Sequence, residues 1–389
     1  MTVTSVGEVW ADLVGQDRAI AELDSAATDP AAMTHAWLFT GPPGSGRSVA
    51  ARAFAAALQC PEHGCGHCQS CRTVLAGTHS DVREVVPEGL SISVSEMRAL
   101  VQIAARRPST GGWQIVVIAD ADRLTEGAAN ALLKAVEEPS ARTVFLLCAP
   151  SDHPDDVPVT IRSRCRLVPL RTPPAEAIAA VLSSRDGVDP EIARWAASVC
   201  GGHVGRARRL ARDPDARARR EQVLALPLSL RGFGEVFTAA DHLIGSAEAE
   251  AADVAGSRDA AEREALSVAM GAGGTGKGVA AAQRGAKAAE RELERRQKSR
   301  ATRSQRDALD RALVDLAGFY RDVLAARFGA SVPATHPDRA HDVHQAAASW
   351  SPESTLRRLE AVLSCREALE LNVKPRIAVE AMLTVLHRG

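Results

Sequence analysis

Three short apolar runs punctuate the first half of the chain: Ala36 to Phe39, Trp113 to Ala119 and Thr143 to Cys148. Runs that do not alternate with polar residues suit strands of a parallel sheet covered on both faces. Ser80 to Val86 predicts a further, shorter strand. Between them lie helical stretches: Gly15 to Ala27 closed by Pro30, Val49 to Leu58, Val94 to Arg106 ending before Pro108, and Glu126 to Glu138 stopped by Pro139. Strands and helices alternating at this spacing predict an α/β domain with a doubly wound sheet. The alternation stops near Arg171. A small helical region follows, Ala175 to Arg212, with Gly201-Gly202 between two helices, and from Pro214 the pattern is helical to the end. Residues 246 to 283 are rich in Ala, Gly and Glu and weakly patterned, which predicts an exposed insertion or mobile loop. The expected domains are 1–171, with an insert at 60–71, then 172–212, then 213–389 with a variable insertion at about 246–300.

Composition narrows the picture. The 389 residues leave room for two or three domains, and the net charge of −1 gives no global attraction for nucleic acid or membrane. Aromatics are 3% with one tyrosine, so cores must be built from Ala, Leu and Val, and a base-stacking surface is disfavoured. The first fifteen residues carry no basic and apolar leader pattern, and no apolar run approaches the eighteen or so residues of a membrane span. The expectation is a cytoplasmic protein with no membrane partner.

After the first apolar run comes Gly41-Pro-Pro-Gly44-Ser-Gly46-Arg47-Ser48, and then an alanine-rich helix. Strand, glycine loop and helix make the context of a P-loop, in which backbone amides and a helix N-terminus cradle phosphate. The pattern asks for Lys where Arg47 stands, and the planar guanidinium does not simply replace a compact ammonium. The second strand ends in Asp120-Ala121-Asp122. Asp120 sits where a magnesium-holding aspartate belongs, but Ala121 occupies the general-base position and cannot take a proton. Asp122 reads as a displaced base or, in preference, as an ordinary loop acid. Hydrolysis of ATP in the chain's own site is therefore not expected. A second glycine run, Gly271 to Gly278 with Lys277, follows a helical segment, lacks the Ser/Thr, and reads as a linker.

Four of the eight cysteines cluster in CPEHGCGHCQSC: Cys60, Cys65, Cys68 and Cys71. Two Cys-x-x-Cys steps and a fourth thiol within twelve residues suit a tetrahedral, structural Zn²⁺ with no open position. An iron–sulfur cluster and inert thiols are the alternatives, and His63 and His67 read as bystanders.

Residues 111 to 166, with Asn130-Ala-Leu-Leu-Lys-Ala-Val-Glu-Glu-Pro139 and Thr160-Ile-Arg-Ser163-Arg164-Cys165, resemble the clamp-loader branch of the AAA+ superfamily. The four-cysteine insert is similar to the zinc module of bacterial members, and Leu371 to Met382 resembles the end of their collar domain. The likeness is dense from about Val14 to Leu210 and thin from there to Leu371. It implies a P-loop domain, a small helical lid and a helical collar in a five-subunit ring of DNA polymerase III. The implied partners are motor (tau/gamma) subunits, a delta subunit, the sliding clamp and, through the complex, primer–template DNA. The departures select a non-motor member: Arg47 for Lys, Ala121 for Glu, Ala149 or Pro150 for the sensor threonine, and Gly205 for the second-sensor arginine. Gly41, Gly44, Gly46, Arg47, Ser48 and Asp120 then form a degenerate nucleotide site, and Ser163-Arg164 supplies an arginine finger to a neighbour's ATP. On the residues alone, Arg164 reads equally as a surface arginine between Arg162 and Arg166. The rivals are an active motor ATPase and a zinc-containing DNA-binding module with a relic P-loop. Two basic runs bear on the latter: Arg206 to Arg220 holds seven arginines and two aspartates, and Arg284 to Arg306 nine basic residues and three glutamates. Such runs are more often solvated helix faces or interdomain contacts than phosphate contacts.

Overall fold

The computed structural model describes residues 7–87, 89–110, 112–269 and 279–389. The chain divides into two compact units, Met1–Arg212 and Asp213–Gly389.

In the first unit the elements run α1 (Asp17–Thr28), β1 (Ala36–Thr40), α2 (Arg47–Gln59), α3 (Gln69–Leu75), β2 (Val82–Val85), α4 (Val94–Ala104), β3 (Gln114–Ile118), α5 (Glu126–Glu137), β4 (Thr143–Ala149), α6 (Val159–Arg162), β5 (Arg166–Pro169), α7 (Ala175–Ser184), α8 (Pro190–Val199) and α9 (Val204–Arg212). The five strands pair in parallel in the order β2-β3-β4-β1-β5. Every residue of β1, β3 and β4 is buried, as expected of strands covered on both faces. One face packs on α2, whose inward alanines Ala50, Ala53 and Ala57 let the helix lie close. Trp37 and Phe54 supply the bulk there, meeting edge to face at 5.0 Å. On the other face Val116, Ile118, Phe145 and Leu147 pack with Met97, Leu132 and Ile161. The helices begin where local chemistry allows: α4 opens on a capping box between Ser93 and Glu96, and Thr125 caps α5.

The doubly wound α/β fold is as anticipated. Three elements of this unit go beyond the sequence reading: the edge strand β5, the short α6, and α3, which begins inside the cysteine module. Residues 175–212 hold three helices, with Gly201-Gly202 between α8 and α9 as expected.

The second unit is α10 (Pro214–Ser229), α11 (Phe233–Ala269), α12 (Val279–Arg327), α13 (Ala340–Ser349), α14 (Pro352–Glu370) and α15 (Pro375–Arg388) around its own core, which includes Leu309, Leu313, Leu316, Phe319, Tyr320, Leu383 and Leu386. The expected exposed insertion or mobile loop at 246–283 is corrected over residues 246–269, and residues 270–278 lie outside the described residues. Residues 246–269 continue α11, Ala247, Ala251 and Ala255 are buried, and α12 begins at Val279. Alanines at a spacing of four give a narrow apolar stripe that a partner helix can cover, although they lack the bulk that makes such stripes conspicuous in a sequence. The second glycine run, Gly271 to Gly278, lies outside the described residues.

Candidate functional site

The four cysteines converge. Cys60 ends α2, Cys68 caps α3 and Cys71 lies in the first turn of α3, while Gly64 (φ +117°) and Gly66 (φ +80°) turn the intervening loop back. Cys60 Sγ lies 3.6 Å from Cys65 Sγ and 3.8 Å from Cys68 Sγ, and all four sulfurs fall within 4.8 Å of one another. A tetrahedron with metal–sulfur bonds of about 2.3 Å has edges of about 3.8 Å, so the donor set fits a tetrahedral metal such as zinc. The amides of Cys65, Cys68 and Cys71 donate to the sulfurs of Cys60, Cys65 and Cys68, each at 3.4 Å. Burial works against ionising Cys60, yet the amides around it bring its thiol down to about 6, whereas burial pushes Cys71 up. His67 Nδ1 donates to the Cys65 carbonyl at 2.9 Å, and with Glu62 and Cys65 it forms a second, more exposed group of donor atoms. The module is tied to the N-terminal turn Glu8–Trp10: Val9 N donates to Gly64 O at 3.3 Å.

The glycine loop joins β1 to α2 as expected. Gly44 (φ +88°) and Gly46 (φ +95°) adopt left-handed conformations that a side chain would strain, and Gly46 is the N-cap of α2. Arg47 and Ser48 thus open the helix. Ser45 is buried, and its carbonyl accepts from Gln16 Nε2, which also bonds Arg171 O. His203, at the start of α9, packs on the loop so closely that a Cβ on Gly44 would fall 2.6 Å from its Cα and Cβ. Asp120 lies two residues beyond the end of β3, at the start of the next turn, and the buried Ala121 follows it. Burial raises the Asp122 carboxyl, the Asp120 charge raises it further, and Arg123 and Arg47 pull it back. The charges of Asp120 and Arg47 thus both act on Asp122. The position next to Asp120 offers only a methyl group, and Ala149 and Gly205 bring no polar side chain. The buried Cys148 thiol at the end of β4 is pushed up to about 12 by desolvation.

The third assembly is the turn after α6. Ser163 caps that helix, and Arg164 follows with its side chain 39% exposed. Arg164 NH1 donates to Thr160 O at 2.8 Å and to Ser163 Oγ at 3.2 Å, and NH2 pairs with Glu137 Oε1 at 2.7 Å. Its neighbours are paired too: Arg162 with Asp152 at 2.6 Å, and Arg166 with Glu22 at 2.7 Å while lying over the Trp37 ring.

Residues 15–174 match the family described as DNA polymerase III, delta subunit, and residues 303–388 match that described as DNA polymerase III, delta subunit, C terminal, together more than half of the chain. The chain is similar to the DNA polymerase III subunit delta' of Bacillus subtilis, with 33% identity over 197 residues covering 50% of this chain and 59% of that protein. Against the subunit delta' of Escherichia coli the figures are 33% over 202 residues, 50% and 60%. These matches make the chain similar to the DNA polymerase III delta and delta-prime subunits. The matched stretch spans about three-fifths of the length of these two delta-prime relatives. The subunit tau of Bacillus subtilis is 34% identical over 172 residues, 43% of this chain and 30% of that protein. Identity alone therefore does not separate delta-prime from tau. In this chain, Glu137 and His203 are the site neighbours that the sequence reading did not assign. Glu137 lay inside the Asn130–Pro139 motif and His203 two residues before Gly205, and only the fold shows what each one meets.

Several arginines of the two basic runs bond groups of the chain itself, and Arg212, Arg291, Arg295, Arg296 and Lys298 are exposed. Arg208 bonds Asp186 and Asp12, Arg219 pairs with Asp213, and Arg220 is buried against Asp338 and His336. In the second run Arg300 is held by Asp259 and Glu262, and Arg306 bonds Leu369 O and Asn372.

Proposed function

We propose that this chain is the delta-prime subunit of a DNA polymerase III clamp loader, a cytoplasmic member that lends Arg164 to the ATP site of a neighbouring motor subunit. The observation that carries the reading is the presentation of Arg164. Its guanidinium stands half-exposed on a fixed turn, aimed by contacts at both terminal nitrogens. A guanidinium is always charged and can offset the charge that develops on a transferred phosphoryl group. The chain's own site lacks a proton acceptor at Ala121, so ATP and Mg²⁺ meeting Arg47, Ser48 and Asp120 would find no base there. In this reading residues 172–212 act as the lid and 213–389 as the collar that joins motor and delta subunits in a hetero-pentamer. The complex then opens the sliding clamp on primed DNA. Cys60, Cys65, Cys68 and Cys71 hold a structural Zn²⁺.

The test is clamp- and primed-DNA-stimulated ATP turnover by the reconstituted loader with this chain or its Arg164→Ala variant. Turnover should fall severalfold while gel filtration shows an intact assembly; unchanged turnover would reject the donated arginine.

A motor ATPase is the second reading, favoured by the charges of Arg47 and Asp120 both acting on Asp122. It requires turnover by the chain alone that Asp120→Ala abolishes. A DNA-gripping module has less support, because many arginines of both basic runs bond the chain's own carboxylates and carbonyls.

A further inference from the structure

Arg162, Arg164 and Arg166 leave one short segment, and each meets a carboxylate from a different element: Asp152, Glu137 and Glu22. Two of these pairs explain themselves as fold contacts, since Arg166 also bonds Ala32 O and covers Trp37, and Arg162 ties the α6 turn to the loop after β4. The Arg164–Glu137 pair does not. Glu137 is the last residue of α5, where the negative end of the helix dipole disfavours a carboxylate. Both side chains are more than one-third exposed, so the pair adds little to stability. What it does is geometric. The two NH1 contacts, to Thr160 O and Ser163 Oγ, hold one corner of the guanidinium and leave its plane free to swing. The bond from NH2 to Glu137 fixes a second corner and hence the plane. Nε–H and the remaining NH2 hydrogen are left outside these contacts, and five donors in a fixed fork are what bidentate phosphate recognition uses.

We infer that Glu137 is a positioning residue for Arg164: it sets the plane and reach of the guanidinium toward a phosphate oxygen of a neighbouring subunit's nucleotide. This rests on the reading of Arg164 as donated in trans. α5 starts directly after the turn that follows Asp120, so one rigid helix links the end of β3 to the support of Arg164.

The experiment uses the reconstituted loader with Glu137→Ala, Glu137→Gln, Arg164→Ala and the Glu137→Ala/Arg164→Ala double variant, measuring kcat and KM for ATP together with assembly and melting temperature. Glu137→Ala should remove most of the turnover that Arg164→Ala removes, lowering kcat at that site by roughly ten- to a hundredfold. KM, assembly and melting temperature should stay unchanged. Glu137→Gln, whose amide oxygen still accepts from NH2, should recover part of the loss. In the Arg164→Ala background, Glu137→Ala should add nothing. A Glu137→Ala loader with normal or raised turnover beside an impaired Arg164→Ala loader would overturn the inference and leave the donated arginine standing. An equal loss in both backgrounds would place the role of Glu137 elsewhere and overturn it too. Normal turnover of Arg164→Ala would remove the reading underneath.

Discussion

Asp81 shows at the scale of one residue how much of this molecule rests on polar groups distant in sequence. It is buried beside β2, and its two oxygens accept four bonds, from the amides and hydroxyls of Ser109 and Thr110 at 2.5–2.8 Å. Burial alone would raise its carboxyl, but these four donors hold it well below the usual carboxylate range. A carboxylate depressed in the folded state stabilises above its unfolded value, about 3.9, and that contribution is lost as pH falls below it. Asp81→Ala should therefore cost ~2–4 kcal/mol in urea denaturation at pH 7, by leaving the loop donors without their charged acceptor. The gap between the variant and the parent should narrow as pH drops below about 4; a gap independent of pH would show that Asp81 is not ionised by this network. None of this was legible in the sequence, because nothing in Asp81 marks Ser109 and Thr110 as its partners. The cysteine cluster was legible for the opposite reason: its four donors lie within twelve residues, so spacing alone brings them together. Arg164 stands between the two cases. Its motif was visible, but its support, Glu137, becomes visible only once α5 and α6 are packed.

At the scale of elements, legibility followed side-chain bulk and pattern length. The strands β1, β3 and β4 were read within a residue or two because each is a compact apolar run ended by a turn or proline. The strand β5 escaped, since as an edge strand it exposes three of its four residues and shows no apolar run. The pairing of α11 with α12 escaped because alanine stripes are quiet. Its specificity comes instead from a polar clasp, in which Arg300 bonds Asp259 and Glu262 at 2.6 Å each and Gln297 Nε2 reaches Asp259 O. Burial would push Glu262 up, yet Arg300, with Arg258 and Gln297, holds its carboxyl at about 2. Removing Arg300 leaves Asp259 and Glu262, two carboxylates of α11, without the cation from α12 that joins them. Arg300→Ala should accordingly speed amide exchange in residues 250–266 and 293–303 by roughly ten- to a hundredfold, a local loss of ~1–3 kcal/mol. Exchange in β1, β3 and β4 should not change. Acidification of the parent from pH 5 toward pH 2 should loosen the same segment as Glu262 is neutralised. Unaltered exchange in the variant would mean that alanine packing alone holds the helices together.

At the scale of the whole molecule, the two units carry separate cores, and only one of them contains the cysteine module. Metal binding that exists only in the folded state stabilises that state by linkage, so its effect belongs to the first unit. The tryptophans report the units unequally: Trp10, Trp37, Trp113 and Trp195 lie in the first and Trp350 in the second. The purified full chain should contain one equivalent of zinc. A strong chelator then leaves sulfurs 3.6–3.8 Å apart with no cation between them, and the loop loosens from Gly64 to the N-terminal turn that Val9 anchors. With a metal contribution of ~3 kcal/mol, the transition reported by tryptophan fluorescence should fall by roughly 6–12 °C. The helical signal of the second unit should melt where it did before, and added Zn²⁺ should restore the first transition. Cys68→Ser should mimic chelation and make the chain insensitive to it. If chelation moves both transitions together, the two cores melt as one cooperative body. If neither moves and no zinc is found, the cysteines are packing thiols, and the depressed Cys60 thiol reflects only the amides around it.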